Sequence, residues 1–332
     1  MVLVGGSGST GSSLLQNILN RHPDIFAGPE TRLFIYPHLF HHWNRYKTRL
    51  TGRTLRTIRS HGWSVRGRAD LLQPEFGWEA EALERAIRQS DSIAGFAEVF
   101  FGKPLRERGA RVWVEKTPQN ACSFRVFPQY FSGGKMIQTL RNPYDVMASL
   151  HARGFNAYEA AGYYIYHTSA AASLHDHPDW YAVHYEDLVT RPAETVEALL
   201  GFLGLPFDRV ILFPSETEKA NPLRLEGWNH SERGPIATSS VGRFQKLPPE
   251  TQSELLAALN LFKISDKHIR KNKFKFKNFR EICTFFGYEY LETDARRHLP
   301  RLREMRRKDC WFRTRKLHPT HLFYYPGDLL SP

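Results

Sequence analysis

The first fifteen residues, Met-Val-Leu-Val-Gly-Gly-Ser-Gly-Ser-Thr-Gly-Ser-Ser-Leu-Leu, set three things in immediate succession: an apolar run, a turn of glycines and hydroxyls, and a helical pattern opening near Ser12. An apolar run bounded by glycine reads as a buried strand, and hydroxyl residues ahead of a periodic apolar stretch read as a helix start. Glycines let the backbone curl until successive N–H groups point inward, and the helix N-terminus adds partial positive charge. The segment is therefore a cradle for an anion such as phosphate. It almost fits the pattern G-x-x-x-x-G-K-[ST], with Gly6, Gly11 and Ser13 in register but Ser12 where the lysine belongs. A nucleoside-triphosphate hydrolase uses that lysine on the β- and γ-phosphates. Without it, the turn suits a smaller phosphate load.

Downstream, strand patterns at 111–116, 135–141 and 180–185 alternate with helical patterns at 78–89, 93–107, 157–174 and 194–203. Alternation with short connections predicts an α/β fold, P-loop-like, with three α/β/α layers around a mostly parallel central sheet and extra helices. Chemistry in such sheets sits at the carboxyl ends of the strands. Residues 1–262 read as this domain and residues 263–332 as a basic C-terminal extension packed on it. Residues 221–249, rich in Gly, Pro, Ser and Asn, read as a long ordered loop of the kind that carries function. The Lys-Phe alternation from Lys273 to Lys277 predicts an edge strand whose lysines discourage aggregation.

The net charge of +12 is unevenly placed. From Lys263 to Lys316 there are 18 Lys and Arg against seven Asp and Glu, a net +11, and Thr31 to Ala69 holds nine Lys and Arg with no acid. Two basic surfaces imply an anionic partner or substrate, a membrane surface, or solubility alone. No apolar run is long enough to span a bilayer. The chain opens directly on a strand pattern, so a secretory leader is not expected in this sequence. Three scattered cysteines, Cys122, Cys283 and Cys310, support neither a disulfide framework nor a zinc site, and the cytoplasm is the simplest compartment. His38, His41 and His42 lack accompanying acids or cysteines, which favours packing and substrate-wall roles over metal.

Four pieces then stand together: the lysine-free turn, Gly28-Pro29-Glu30-Thr31, Glu115-Lys116-Thr117-Pro118, and Arg141 with Ser149. On these the chain resembles the sulfotransferases that use 3′-phosphoadenosine 5′-phosphosulfate (PAPS), within them the tyrosylprotein and bacterial carbohydrate-type branches. The resemblance runs over residues 1–260. It implies that Gly8, Ser9, Thr10, Gly11, Ser12 and Ser13 hold the 5′-phosphosulfate. It implies also that Arg141 and Ser149, spaced eight apart in Leu-Arg-Asn-Pro-Tyr-Asp-Val-Met-Ala-Ser, grip the 3′-phosphate. A guanidinium fork suits phosphate oxygens and the hydroxyl adds a neutral donor. Tyr185, opening Tyr-Glu-Asp-Leu, corresponds to a residue near adenine, and Ser239, Ser240 and Arg243 to the late segment that closes over the 3′-phosphate.

Glu30 matches the glutamate that accepts the acceptor's proton, and a carboxylate beside the reacting sulfur suits that task. One departure stands out. Relatives place a lysine or arginine where this chain has Ser9. Charge develops on the leaving phosphate, so some donor must meet it, and Lys116 is the residue expected to do so.

The function expected is transfer of a sulfuryl group to a hydroxyl acceptor, leaving 3′,5′-bisphosphoadenosine (PAP) as product and needing no metal. A carbohydrate acceptor, particularly an anionic glycan, is favoured over tyrosine or a small molecule, because the acid-free basic stretch follows Glu30 directly. Two other readings remain: a P-loop kinase or related phosphotransferase, and a non-catalytic anion- or nucleic-acid-binding protein that uses its basic tail. Nucleic acid is the less expected partner, and the sequence does not specify an oligomeric state.

Overall fold

The computed structural model describes residues 1–51, 75–214, 236–314 and 327–328. The first strand and helix fall where the pattern places them, β1 at Val2–Gly6 and α1 at Ser12–Asn20. Then follow β2 (Ile25–Phe26), α2 (Pro37–His41), α3 (Trp43–Leu50), α4 (Ala80–Gln89), α5 (Ile93–Arg108) and β3 (Val112–Lys116). After a 3-10 turn at Pro118–Ser123 come α6 (Phe127–Tyr130), β4 (Lys135–Leu140), α7 (Pro143–Ala152), α8 (Ala157–Ala171), β5 (Trp180–His184), α9 (Tyr185–Thr190) and α10 (Pro192–Leu203). The later part holds α11 (Pro249–Leu261), β6 (Lys263–Ile264), α12 (Asp266–Asn272), α13 (Phe279–Phe286), α14 (Leu299–Thr314) and β7 (Gly327–Asp328).

Five strands form one sheet in the order β2-β3-β1-β4-β5, and every pairing in it is parallel. Because side chains alternate along a strand, each strand feeds two cores. Leu3, Phe26, Trp113 and Met136 face an aromatic core with Phe34, Phe96, Phe100, Phe101 and Phe127. Val2, Val4, Ile25, Val114, Ile137 and Val183 face the other side, against Leu15 and Ile18 of α1 and Val196, Leu199 and Leu200 of α10. A parallel sheet buried on both faces is the three-layer arrangement expected.

A third core joins α7, α8 and α11 to the C-terminal segment, with Tyr164, Leu255 and Phe262 packed with Phe276, Phe279, Ile282 and Leu302. The edge strand expected at Lys273–Lys277 does not form. Lys273 takes a left-handed φ of 52°, ending α12. Beyond it the chain runs in irregularly, Phe276 accepting from Ser169 Oγ at 2.7 Å and donating its N–H back to the same hydroxyl at 2.8 Å. Burying Phe276 in that core outweighs the alternating pattern. Of the loop expected over 221–249, residues 236–248 are described as irregular chain with a 3-10 turn at Phe244–Lys246, and Pro249 already opens α11. The rest of it, and the basic residues from 52 to 69, lie outside the described residues.

Candidate active site

Parallel topology aims the carboxyl ends of all five strands at one edge, with β1 at the centre, where crossovers depart to both sides. The turn after β1, the segment after β2, the last residue of β3, the residue after β4 and the residue after β5 all lie there. They bring Ser9, Glu30, Lys116, Arg141 and Tyr185 to that one edge.

The turn is shaped by close contacts. Gly11 has a φ of +81°, and a Cβ there would lie 2.4 Å from the Tyr185 ring; a Cβ on Gly8 would lie 2.9 Å from the ring of Tyr163. Thr10 spends its hydroxyl on the fold, bonding Ser7 O and Thr139 Oγ1, each at 2.7 Å. Its contribution to a ligand is therefore its backbone amide. Leu15 N closes onto Gly11 O at 3.0 Å, and the amides at the start of α1 precede the first helical acceptors. Ser12 is buried, and Ser13 Oγ accepts from Lys116 Nζ at 2.8 Å.

Glu30 is held by its neighbours. Gln16 of α1 donates to Gly28 O at 2.7 Å and Ala27 O at 3.2 Å. On the other side Thr31 donates its N–H and hydroxyl to Glu115 Oε1, both at 2.9 Å. Glu115 also accepts from Thr117 Oγ1 at 2.8 Å and from Asn120 Nδ2. Burial raises the Glu115 carboxyl above the usual range, and these hydrogen bonds oppose that rise. Between the two anchors, Glu30 Oε1 meets Lys116 Nζ at 2.7 Å, with the lysine side chain 4 % exposed and the glutamate 24 %. One ammonium thus bridges the turn, through Ser13, and the carboxylate.

Arg141 binds the turn from the opposite side. Its Nη1 donates to Ser9 O at 3.0 Å, its Nη2 donates to Ser240 O, and its guanidinium lies 4.7 Å from the centre of the Tyr185 ring. Asp145, one turn along α7, stands 3.9 Å from Arg141 and accepts from Gly242 N at 2.8 Å and Phe244 N at 2.9 Å. The late segment carrying Ser239 and Ser240 is thereby fastened to the start of α7. Asn142 caps that helix, accepting from Tyr144 N at 3.0 Å and Asp145 N at 3.3 Å. Burial lowers the Arg141 pKa, and its Nε has no hydrogen-bond partner among the described residues. Ser149 lies half-buried on α7, and Arg243 is exposed but close enough to act on Arg141 electrostatically.

Several residues take parts at this edge that the sequence does not signal. Glu115 reads as a charge emerging from a strand, yet alternation turns it into the interior while Lys116 turns toward Glu30. Tyr163 accepts from Gln119 Nε2 at 2.8 Å beneath Gly8. Arg153, past the end of α7, donates from Nη1 to Ser9 Oγ at 3.1 Å. His38 lies 4.7 Å from the Tyr46 ring and His41 Nδ1 lies 3.0 Å from Tyr130 Oη. The first is a ring contact and the second a hydrogen bond, and among the described residues no three His, Cys, Asp or Glu side chains gather as a metal site.

Residues 2–209 match the model of a family described as "Sulfotransferase family". The chain belongs to the sulfotransferase family. A curated relative, protein-tyrosine sulfotransferase 1 of Danio rerio, is 24% identical over 231 residues, covering 65% of this chain. The chain spans 56% of that relative's length. Among solved structures, the sulfotransferase domain from the curacin biosynthetic pathway superposes with a TM-score of 0.56 at 18% identity, over 88% of this chain and 98% of that one. The sulfotransferase domain of the Synechococcus PCC 7002 olefin synthase gives 0.51 at 20% identity, over 75% and 88%. The family member described here shares their fold.

Proposed function

We propose that this protein transfers a sulfuryl group from PAPS to a hydroxyl acceptor. The observation that carries the reading is the Lys116 bridge, a nearly buried ammonium joining Ser13 of the anion turn to Glu30. It sets a proton acceptor beside an anion cradle. Family membership supports the donor's identity, and the residues present fit it. Gly8 and Gly11 leave the turn free of Cβ atoms where Tyr163 and Tyr185 close in. The unpartnered Nε of buried Arg141 is a donor in want of an anion.

In this reading residues 8–13 hold the 5′-phosphosulfate, Arg141, Ser149, Ser240 and Arg243 the 3′-phosphate, and Tyr185 lies by the adenine. Bound there, PAPS supplies a sulfuryl group on a phosphate leaving group. Glu30 takes the proton of the attacking hydroxyl, and Lys116 with the turn amides faces the charge that grows on the leaving side. Glu115, through Thr31, keeps Glu30 in place, which favours the oriented approach on which such a displacement depends.

The acceptor we favour is a carbohydrate hydroxyl. Part of the basic stretch behind Glu30 supports the fold instead, since Lys47 donates to Arg88 O at 2.9 Å and Ser90 O at 2.7 Å. Likeness to a protein-tyrosine enzyme makes a tyrosine peptide the second acceptor to try. The unpaired cysteines Cys122 and Cys283 accord with a reducing compartment such as the cytoplasm. The test is incubation with radiolabelled PAPS and a panel of glycans and tyrosine peptides. Transfer to one hydroxyl class is expected, with a loss of about 100-fold or more in Glu30→Gln and PAP affinity within about threefold. Equal rates for the two proteins would remove Glu30 from the mechanism, and thermal stabilisation by ATP but not by PAP would favour a phosphotransferase.

A further inference from the structure

The Lys-Phe alternation that fails to make a strand is sorted by the fold in another way. Phe276 is buried and Phe274 packs against two of the cores, whereas Lys273 and Lys275 are exposed. Just ahead of them, Lys267, Arg270 and Lys271 share the outer face of α12 at i, i+3 and i+4, all exposed, while Ile269 turns to the core. Asp266 is taken by Lys277 at 2.8 Å. Among the described residues Lys267, Arg270, Lys271 and Lys273 form no ion pair with a carboxylate.

Three of these cations sit where local physics resists them. Lys267 lies in the first turn of α12, at the positive end of the helix dipole. Lys271 follows it one turn on, a like-charge pair of the kind that destabilises a helix. Burial lowers the pKa of His268 beside them, and the charges of both lysines lower it further. Lys273 ends α12 at a left-handed φ of 52°, a position that glycine fills with less strain. Charge kept against such local preferences points to a use for it.

The cations also reach an exposed ring. Lys275 Nζ lies 5.3 Å from the centre of the Phe285 ring, which is 42 % exposed, and 3.0 Å from His175 Nε2. His175 comes just before β5, whose five residues, about 17 Å, run from Trp180 to the edge that carries Tyr185. Lys275 thus marks the end of the sheet opposite Glu30 and Arg141. A polymeric acceptor seated there would have to span that length to reach Glu30, whereas a flat anionic surface needs only an exposed face and leaves the other edge open. We propose that Lys267, Arg270, Lys271, Lys273 and Lys275, with Phe285 beside the last, bind the headgroup surface of an anionic phospholipid bilayer. The cations meet lipid phosphates while the ring enters the boundary between headgroups and acyl chains. This surface lies outside the transfer reaction and depends on neither its donor nor its acceptor.

The test is sedimentation of the full chain with vesicles of phosphatidylcholine, alone or with about 30 % phosphatidylglycerol. Binding is expected to the anionic vesicles only, falling about tenfold or more between about 0.1 and 0.5 M salt. Lys267→Gln, Arg270→Gln and Lys271→Gln together should weaken it about 100-fold, and Phe285→Ser about fivefold. Lys273→Gly should weaken it about fivefold while raising the melting temperature, because glycine relieves the left-handed φ. PAP affinity by calorimetry should stay within about threefold of the wild type in every variant, since none of these residues touches the anion turn. Absence of binding to the anionic vesicles overturns the proposal, as does unchanged binding in a triple variant that melts like the wild type. A Phe285→Ser protein that binds vesicles as the wild type does, together with heparin or single-stranded DNA held tightly and lost in the triple variant, gives the surface to a polymer and overturns it as well.

Discussion

Lys116 joins three jobs in one atom. Its ammonium holds Ser13, neutralises Glu30 and so ties α1 to the segment after β2, and at 3 % exposure the residue has little room for a larger group. Lys116→Ala should therefore remove the ammonium that meets Glu30 and Ser13 and lower transfer by about 100-fold or more. Lys116→Arg should rescue poorly, since the guanidinium does not fit the same site. Steady-state rates on the best acceptor decide both. Gly11→Ala probes the turn itself: its φ of +81° disfavours any side chain, and the new methyl would collide with Tyr185. A loss of PAP affinity of about tenfold or more, with a lower melting temperature, is expected from calorimetry and thermal denaturation.

The α8 helix is buried along its whole length, from Ala157 to Ala171, and it encloses His167. Burial pushes the His167 imidazole down to about 4, with its Nδ1 donating to Tyr163 O at 2.8 Å. Between its ordinary pKa of 6.5 and about 4, the folded protein binds fewer protons at this residue than the unfolded chain. Stability therefore falls as pH drops through that window, by about 3 kcal/mol when complete. Glu115, raised by burial, works with the opposite sign, so the contrast with His167→Gln isolates the histidine. Melting temperatures at pH values from about 7 to 4.5 should show a shallower decline in the variant. Elements like α8 were legible from composition, and β1, β3, β4 and β5 from apolar runs. The two residues of β2 leave no periodicity to read, and the Lys273–Lys277 alternation misled because Ser169, a hundred residues earlier, captures Phe276. Glu30 and Lys116 could be singled out as candidates because their motifs are local. Arg153 was not, because its contact with Ser9 exists only once α7 is packed beside the turn.

Across the whole molecule, the sheet domain and the C-terminal segment share a core. Phe276, Phe279, Ile282 and Leu302 pack with α7, α8 and α11, and Tyr144 Oη donates to Glu289 O while accepting from Leu291 N, both at 2.8 Å. We propose that residues 1–262 and 263–332 fold as one unit. A chain ending at Phe262 should expose α8 and lose cooperative unfolding, as followed by circular dichroism and denaturant titration. The hold of Arg141 on both Ser9 O and Ser240 O has an outcome in time as well as in space. As the polypeptide leaves the ribosome, Ser9 emerges before Arg141 and the carbonyl of Ser240 only after both, so the guanidinium gains its first partner well ahead of its second. A chain cut short before Ser240 keeps the hold on Ser9 and lacks the bond that ties the late segment to it.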